Sequence, residues 1–177
     1  LKEKYSQSFS HPVIDEQEEY RRVCAEKYNF FNPPKLTTDF SYKTNISREE
    51  LNKYSNITST RPAKTGLPHF LTELGNITFD YLIDFGSFRD IQRHRNGVCR
   101  MPLLTTDIGF NAWYLVQMPD DLKKEAEELI RKQIEAINKL SATPEIRQYY
   151  VALGFNVACR NSYGLPAAVY VTELRSG

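Results

Sequence analysis

Hydrophobic and polar positions alternate most regularly between Ile77 and Phe85. Ile77, Phe79, Tyr81, Ile83 and Phe85 fall on one side of an extended chain and Thr78, Asp80, Leu82 and Asp84 on the other, which predicts a half-buried strand. Gly86-Ser87 interrupts the pattern, and Phe88–His94 predicts a short helix with Ser87 as its cap. Trp113–Met118 predicts a second strand, closed by Pro119. After Asp120 or Asp121 the period changes. Leu122, Ala126, Leu129, Ile130, Ile134 and Ile137 recur every three or four residues, predicting a long helix over Leu122–Leu140 that packs across the sheet. Thr143-Pro144-Glu145 predicts another helix, with Thr143 as cap and a proline in the first turn, ending near Gly154. Phe155–Cys159 and Ala168–Thr172 are apolar enough to be strands.

The first part of the chain carries weaker signals. Residues 1–45 are polar, dotted with aromatics and broken by Pro33-Pro34, with one charged helical stretch near Asp15–Glu26. Ser47 and Glu50 have the spacing of a capping box, predicting a helix to about Tyr54. Ser55–Pro68 is rich in Ser, Thr, Pro and Gly and predicts a loop. The predicted fold is α+β, an antiparallel or mixed central sheet with packed helices. Residues 1–66 form a helical and loop region or linker, and residues 67–177 form the domain proper.

Composition narrows the function classes. Lys plus Arg is 23 and Asp plus Glu is 22, so the chain lacks the basic excess that holds DNA or RNA through a general charged surface. No apolar run reaches the roughly 20 residues of a membrane helix, and no signal-peptide pattern opens the sequence. Cys24, Cys99 and Cys159 are odd in number and far apart, which fits reduced thiols and a cytoplasmic location. With His11, His69 and His94 the only histidines, no metal site is expected. The start at Leu1 and the run Glu173–Gly177 at the other end lead us to expect a piece of a longer protein, truncated at its C-terminus, or a processed or partly ordered chain. Trp113 and the many Tyr and Phe residues are expected to pack the core, and the charges of Lys123–Lys139 to form a solvated helix face.

The densest candidate chemistry is Arg89-Asp90-Ile91-Gln92-Arg93-His94-Arg95. On a helix Arg89, Gln92 and Arg93 share a face, where guanidinium forks suit phosphate oxygens or an electron-rich ring, and His94 adds a donor that titrates near neutrality. From charge alone, a solvated helix end is the commoner explanation of such a run. Cys99 stands near Arg95 and Arg100, which would lower a thiol pKa, although a structural thiol is the commoner case.

Arg93-His94-Arg95, preceded by a strand, a short helix and a Gln, resembles the opening of the flavin-dependent thymidylate synthase signature, RHRxxSxNExSxRY. Upstream, His69-Phe70-Leu71-Thr72-Glu73-Leu74-Gly75-Asn76-Ile77-Thr78-Phe79 is similar to that family's HxSxxEHxxFxF segment. Downstream, the order of elements, then Arg160, Leu165-Pro166 and Glu173-Leu174-Arg175, follows the same family. The resemblance covers about Leu67 to Arg175.

The resemblance implies methylation of dUMP to dTMP, with methylenetetrahydrofolate as carbon donor, NADPH as reductant and FAD as bound cofactor. It implies a homo-oligomer, a tetramer or a tandem pseudo-tetramer, whose sites form where subunits meet. Carried over by position, Glu73, Arg93, His94 and Arg95 would contact FAD. Arg89, Gln92, Arg93, Thr106 and Arg160 would contact the nucleotide, and no residue is assigned as catalytic. The later signature positions depart from the family. Where it expects Glu and Ser the ungapped sequence has Met101 and Leu103; a three-residue insertion puts Thr106 at the Ser position but Leu104 at the Glu position. Ser162 stands nearest the place of the arginine that precedes the family's Leu-Pro. Two functional readings follow: a divergent enzyme, or a degenerate domain that gives FAD contacts and packing to a catalytic neighbour. An unrelated nucleic-acid binder using Arg89–Arg100 is disfavoured by Asp84, Asp90 and Asp107 in the same stretch.

Overall fold

The computed structural model of the chain describes Lys4, residues 15–29 and residues 40–176. Pro33-Pro34 and His11 lie outside the described residues. The helices are α1 (Asp15–Asn29), α2 (Arg48–Asn52), α3 (Ser55–Thr60), α4 (Phe85–Gln92), α5 (Ala112–Val116), α6 (Asp120–Asn138), α7 (Pro144–Arg147) and α8 (Leu165–Arg175). The strands are β1 (Phe40–Thr44), β2 (Asn76–Asp84), β3 (Gly97–Arg100) and β4 (Asn156–Gly164). They form one sheet in the order β1-β2-β4-β3, antiparallel throughout, so the fold is α+β with an antiparallel sheet and packed helices. Among the described residues no helix is long and apolar enough to cross a membrane.

The alternation of β2 divides the sheet into two faces. Tyr81 and Ile83 turn to the core, where Phe88, Phe155, Val157, Cys159, Leu104 and Ile137 are buried together. The opposite face is polar. Asp80 lies across from Arg160, and Arg160 across from Arg100. Arg160 grips the buried Asp80 with two bonds, Nε to Oδ1 at 2.7 Å and Nη2 to Oδ2 at 3.1 Å. One row along, the hydroxyls of Thr78 and Ser162 meet at 2.8 Å. These cross-strand pairs let β4 continue past Cys159, where the expected strand stopped, because Arg160, Asn161 and Ser162 each meet a side chain on β2.

Several expectations need correction. Trp113–Met118 is not a strand: Ala112–Val116 is a helix, started by Asn111, whose side chain accepts from the Trp113 N–H at 3.0 Å. A run of five or six apolar residues cannot be told from a helical turn by periodicity. Trp113 and Val116 are consequently exposed rather than packed in the core. Ala168–Thr172 is helical within α8, where Pro166 sets the first turn and Ala167-Ala168 favour helix over strand. Ser87 does not cap α4; Asp84 does, accepting from the Ser87 N–H at 2.8 Å, and the helix starts at Phe85. Ser47 occupies the cap position of α2 without a side-chain bond, and Glu50 pairs with Lys53 instead. The Ser55–Pro68 loop contains α3, and α7 stops at Arg147, with only a 3-10 turn (Gln148–Tyr150) beyond. The apolar stripe of α6 is divided: Ile130, Ile134 and Ile137 pack on the core, while Leu122 and Leu129 are exposed.

Candidate functional site

Two strand-to-helix junctions set the site. β2 passes directly into α4 and β4 directly into α8. Because Gly97 of β3 pairs with Tyr163, the turn from Arg93 to Asn96 must lie at the Gly164 end of β4. α4, about 12 Å long, spans back to that end from the Asp84–Asn156 end of the sheet. The Arg-His-Arg run therefore sits beside α8.

His94 stands edge-on to Tyr170 of α8, with ring centres 6.1 Å apart. The Arg175 guanidinium approaches His94 Nε2 at 3.4 Å and the Asp90 carbonyl at 3.3 Å, joining the ends of the two helices. Arg93 is exposed, with only a loose contact to Asp90 at 3.5 Å, and Arg89 and Arg95 are exposed as well. Gln92 donates to the Tyr28 hydroxyl at 3.5 Å.

A cleft of about 340 Å³ opens beside this turn. His69, Thr72, Asn96, Gly164, Pro166 and Tyr170 line it. A smaller recess of about 130 Å³, bounded by Lys64, Tyr170, Glu173 and Leu174, adjoins it through Tyr170. Gly164 permits the close approach of the floor, since a Cβ there would lie 2.6 Å from Thr72 Cγ2. Among the described residues no side chain caps α8 and its first turn holds no acidic residue, so its positive end opens on the cleft. Of the acidic groups nearby, Glu173 is bound by Arg61, whose guanidinium lowers the Glu173 pKa, chiefly by hydrogen bonding. The cationic turn, helix end and lining donors suit an anionic ligand bearing an aromatic ring.

The structure separates the other expected site residues. Glu73 is exposed in the 3-10 turn (His69–Leu74) that borders the cleft through His69 and Thr72. Arg160 lies on β4, fixed to Asp80. Thr106 is buried at the other end of β4, where Phe110 bridges to Phe155, and β4 is roughly 25–30 Å long. There it lines a separate pocket of about 230 Å³ with Asp107 and Arg147. Met101 and Leu104, at positions where the resemblance expects polar groups, pack in the core. Cys99 is not an activated thiol: burial raises its pKa, opposed by its 3.3 Å contact with the Tyr163 hydroxyl. Burial likewise raises Cys159 and Tyr163.

Lys64, Asn96 and Tyr170 escape a reading by motif. Only the Pro62-to-Gly66 turn chemistry and the Gly164-Leu165-Pro166 helix start hinted at a cleft there.

No family model matches the chain. It is 34% identical over 100 residues to a UPF0159 protein of Chlamydia pneumoniae, covering 55% of this chain and 18% of that protein. A UPF0159 protein of Chlamydia muridarum is 34% identical over 107 residues, 59% of this chain and 20% of the relative. The UPF0159 protein of Thermoplasma acidophilum is 30% identical over 129 residues, 71% of this chain and 25% of the relative. The matched segment thus spans about a fifth to a quarter of the length of these curated relatives, to which the chain is similar under a name that states no activity.

Proposed function

We propose that this chain is a flavin-nucleotide-binding domain of the flavin-dependent thymidylate synthase type, holding FAD against the Arg93-His94-Arg95 turn and the adjoining cleft. The observation that supports this reading is the cleft that Asn96, at the end of that turn, shares with Gly164 and Pro166 at the uncapped start of α8. Both features favour phosphate, and Tyr170 beside them offers a ring for stacking. Arg93 and Arg95 hold the pyrophosphate, Asn96 and Thr72 supply hydrogen bonds, and Glu73 stands on the rim. The bound flavin would supply hydride transfer, for the methylation of dUMP to dTMP with methylenetetrahydrofolate and NADPH.

A second reading, that this domain supplies FAD contacts and packing to a catalytic neighbour in a homo-oligomer or a tandem pseudo-tetramer, is favoured by the burial of Leu104 and the packing of Met101. Those positions cannot present a nucleotide-binding carboxylate. The exposed Trp113, Val116, Met118, Leu122 and Leu129 offer such a neighbour an apolar surface.

Flavin fluorescence titration of the purified chain tests the first claim. FAD should bind, and Arg93→Ala and Arg95→Ala should each weaken it by about tenfold. A tritium-release assay with dUMP separates the readings: turnover by the chain alone supports the enzyme, and binding without turnover supports the module. No flavin binding by any oligomeric form would sink both.

A further inference from the structure

The turn before the cleft is held in a backbone conformation its sequence does not favour. Lys64 has φ +60°, the single positive value at a non-glycine among the described residues. It is the third residue of a turn closed by the Thr65 N–H donating to the Pro62 carbonyl at 3.2 Å. Such a position favours glycine, and glycine follows only two residues later at Gly66. Arg61 fastens the turn from both sides, donating to the Thr65 carbonyl and to Glu173 on α8. A strained residue fixed by its surroundings at the mouth of a cleft is a candidate for function rather than for stability.

The place of Lys64 says what that function is. It bounds the recess that continues the main cleft past Tyr170, with Glu173 and Leu174. Among the described residues Glu173 is the carboxylate that lines this recess; Arg61 binds it, and Lys64 adds a weaker attraction. Tyr170 thus belongs both to the recess that Lys64 bounds and to the ring contact with His94 of the Arg-His-Arg turn.

We propose that Lys64 is an anion anchor, taking a second phosphate or carboxylate group of a ligand that lies across the Tyr170 ring. This rests on the reading of the cleft as a nucleotide-binding site and specifies its ligand as one whose second anionic group reaches past the Tyr170 ring.

Lys64→Gly relaxes the turn and removes the charge, so stability and binding should move in opposite directions. With the full chain, Lys64→Gly should keep or raise the melting temperature yet weaken FAD and ADP by about tenfold in calorimetry. Lys64→Arg should restore affinity to within about threefold, and riboflavin, which has no phosphate, should bind both variants and wild type alike. Unchanged FAD and ADP affinity in Lys64→Gly, with wild type binding both, would overturn the anchor and leave the cleft reading intact. Wild-type binding of ADP but no flavin, with ADP weakened in Lys64→Gly, would keep the anchor and remove the flavin. If wild type bound neither, both proposals would fall.

Discussion

β2 and β4 are each nine residues long and each passes into a helix without a connecting residue, but the two junctions are finished differently. At the start of α4 every free donor has a partner. The Phe85 N–H meets the Phe155 carbonyl, the Gly86 N–H meets the Leu153 carbonyl, both at 2.9 Å, and the Ser87 N–H meets Asp84. Asp84 is buried and also accepts from the Tyr114 hydroxyl at 3.1 Å. At the start of α8 a glycine stands where Asp84 stands in the other junction, and the helix opens on the cleft. The first junction uses its polar groups within the fold; the second has no side-chain cap and borders the cleft. That contrast separates scaffold from site in a sheet whose two central strands are otherwise alike.

The largest test of the contrast removes the cap. Asp84→Ala should cost about 2–3 kcal/mol, from a lost helix cap and a Tyr114 hydroxyl left without its acceptor. Urea unfolding measures it, and Asp84→Asn should recover part of the loss. A cost below about 1 kcal/mol would mean that the backbone carbonyls alone hold this junction.

Gly164→Ala probes the other junction. The added methyl lies 2.6 Å from Thr72 Cγ2, so the 3-10 turn must move away from α8, at a cost of about 1–3 kcal/mol. FAD affinity should fall with stability, since Thr72 lines the cleft. Unaltered affinity in a destabilised variant would place the ligand away from this floor.

Much of the scaffold could be read from the chain, because its signals are local. The alternation of Ile77–Phe85 placed β2 within one residue, and the stripe of Leu122–Leu140 placed α6 within two at each end. What sequence could not supply was pairing. β1 is short and exposed throughout and β3 is only four residues long, and only their neighbours make them strands. The polar half of β4 reads as loop until Asp80 and Thr78 are seen opposite Arg160 and Ser162. For the candidate site, the Arg-His-Arg turn was visible as a motif, whereas Lys64 and Tyr170 join it only through tertiary packing. Thr106, reached by counting along the motif, is carried to the far end of β4 because the chain after β3 turns into the core.

A smaller effect is expected from supplying α8 with the charge it lacks. Ala167 lies in its first turn and lines the cleft, so Ala167→Glu places a carboxylate at the positive end of the helix. Stability should rise by about 0.3–1 kcal/mol while FAD binding weakens, because the new carboxylate competes for the same field. Thermal melts and flavin titration on one sample read both. A variant that gains stability and binds as before would show that the helix end takes no part in binding.

The smallest effect concerns what holds α8 in place of a cap. Arg61 pairs with Glu173 near its far end, and the Glu173 pKa lies below its ordinary 4.5, mainly through the Arg61 hydrogen bond. The folded state therefore binds that proton less readily than the unfolded chain. The contribution is fully present above the unfolded value and fades as pH falls through the lower folded value. Glu173→Gln should leave melting temperatures slightly lower than wild type near pH 7, with the two curves converging as pH falls below the ordinary 4.5 and through the lower folded value. Both groups reach solvent, so added salt should shrink the difference at neutral pH. A gap between wild type and Glu173→Gln that widened on acidification would reverse the sign, and would mean that the protonated carboxyl, not the carboxylate, is the form α8 holds.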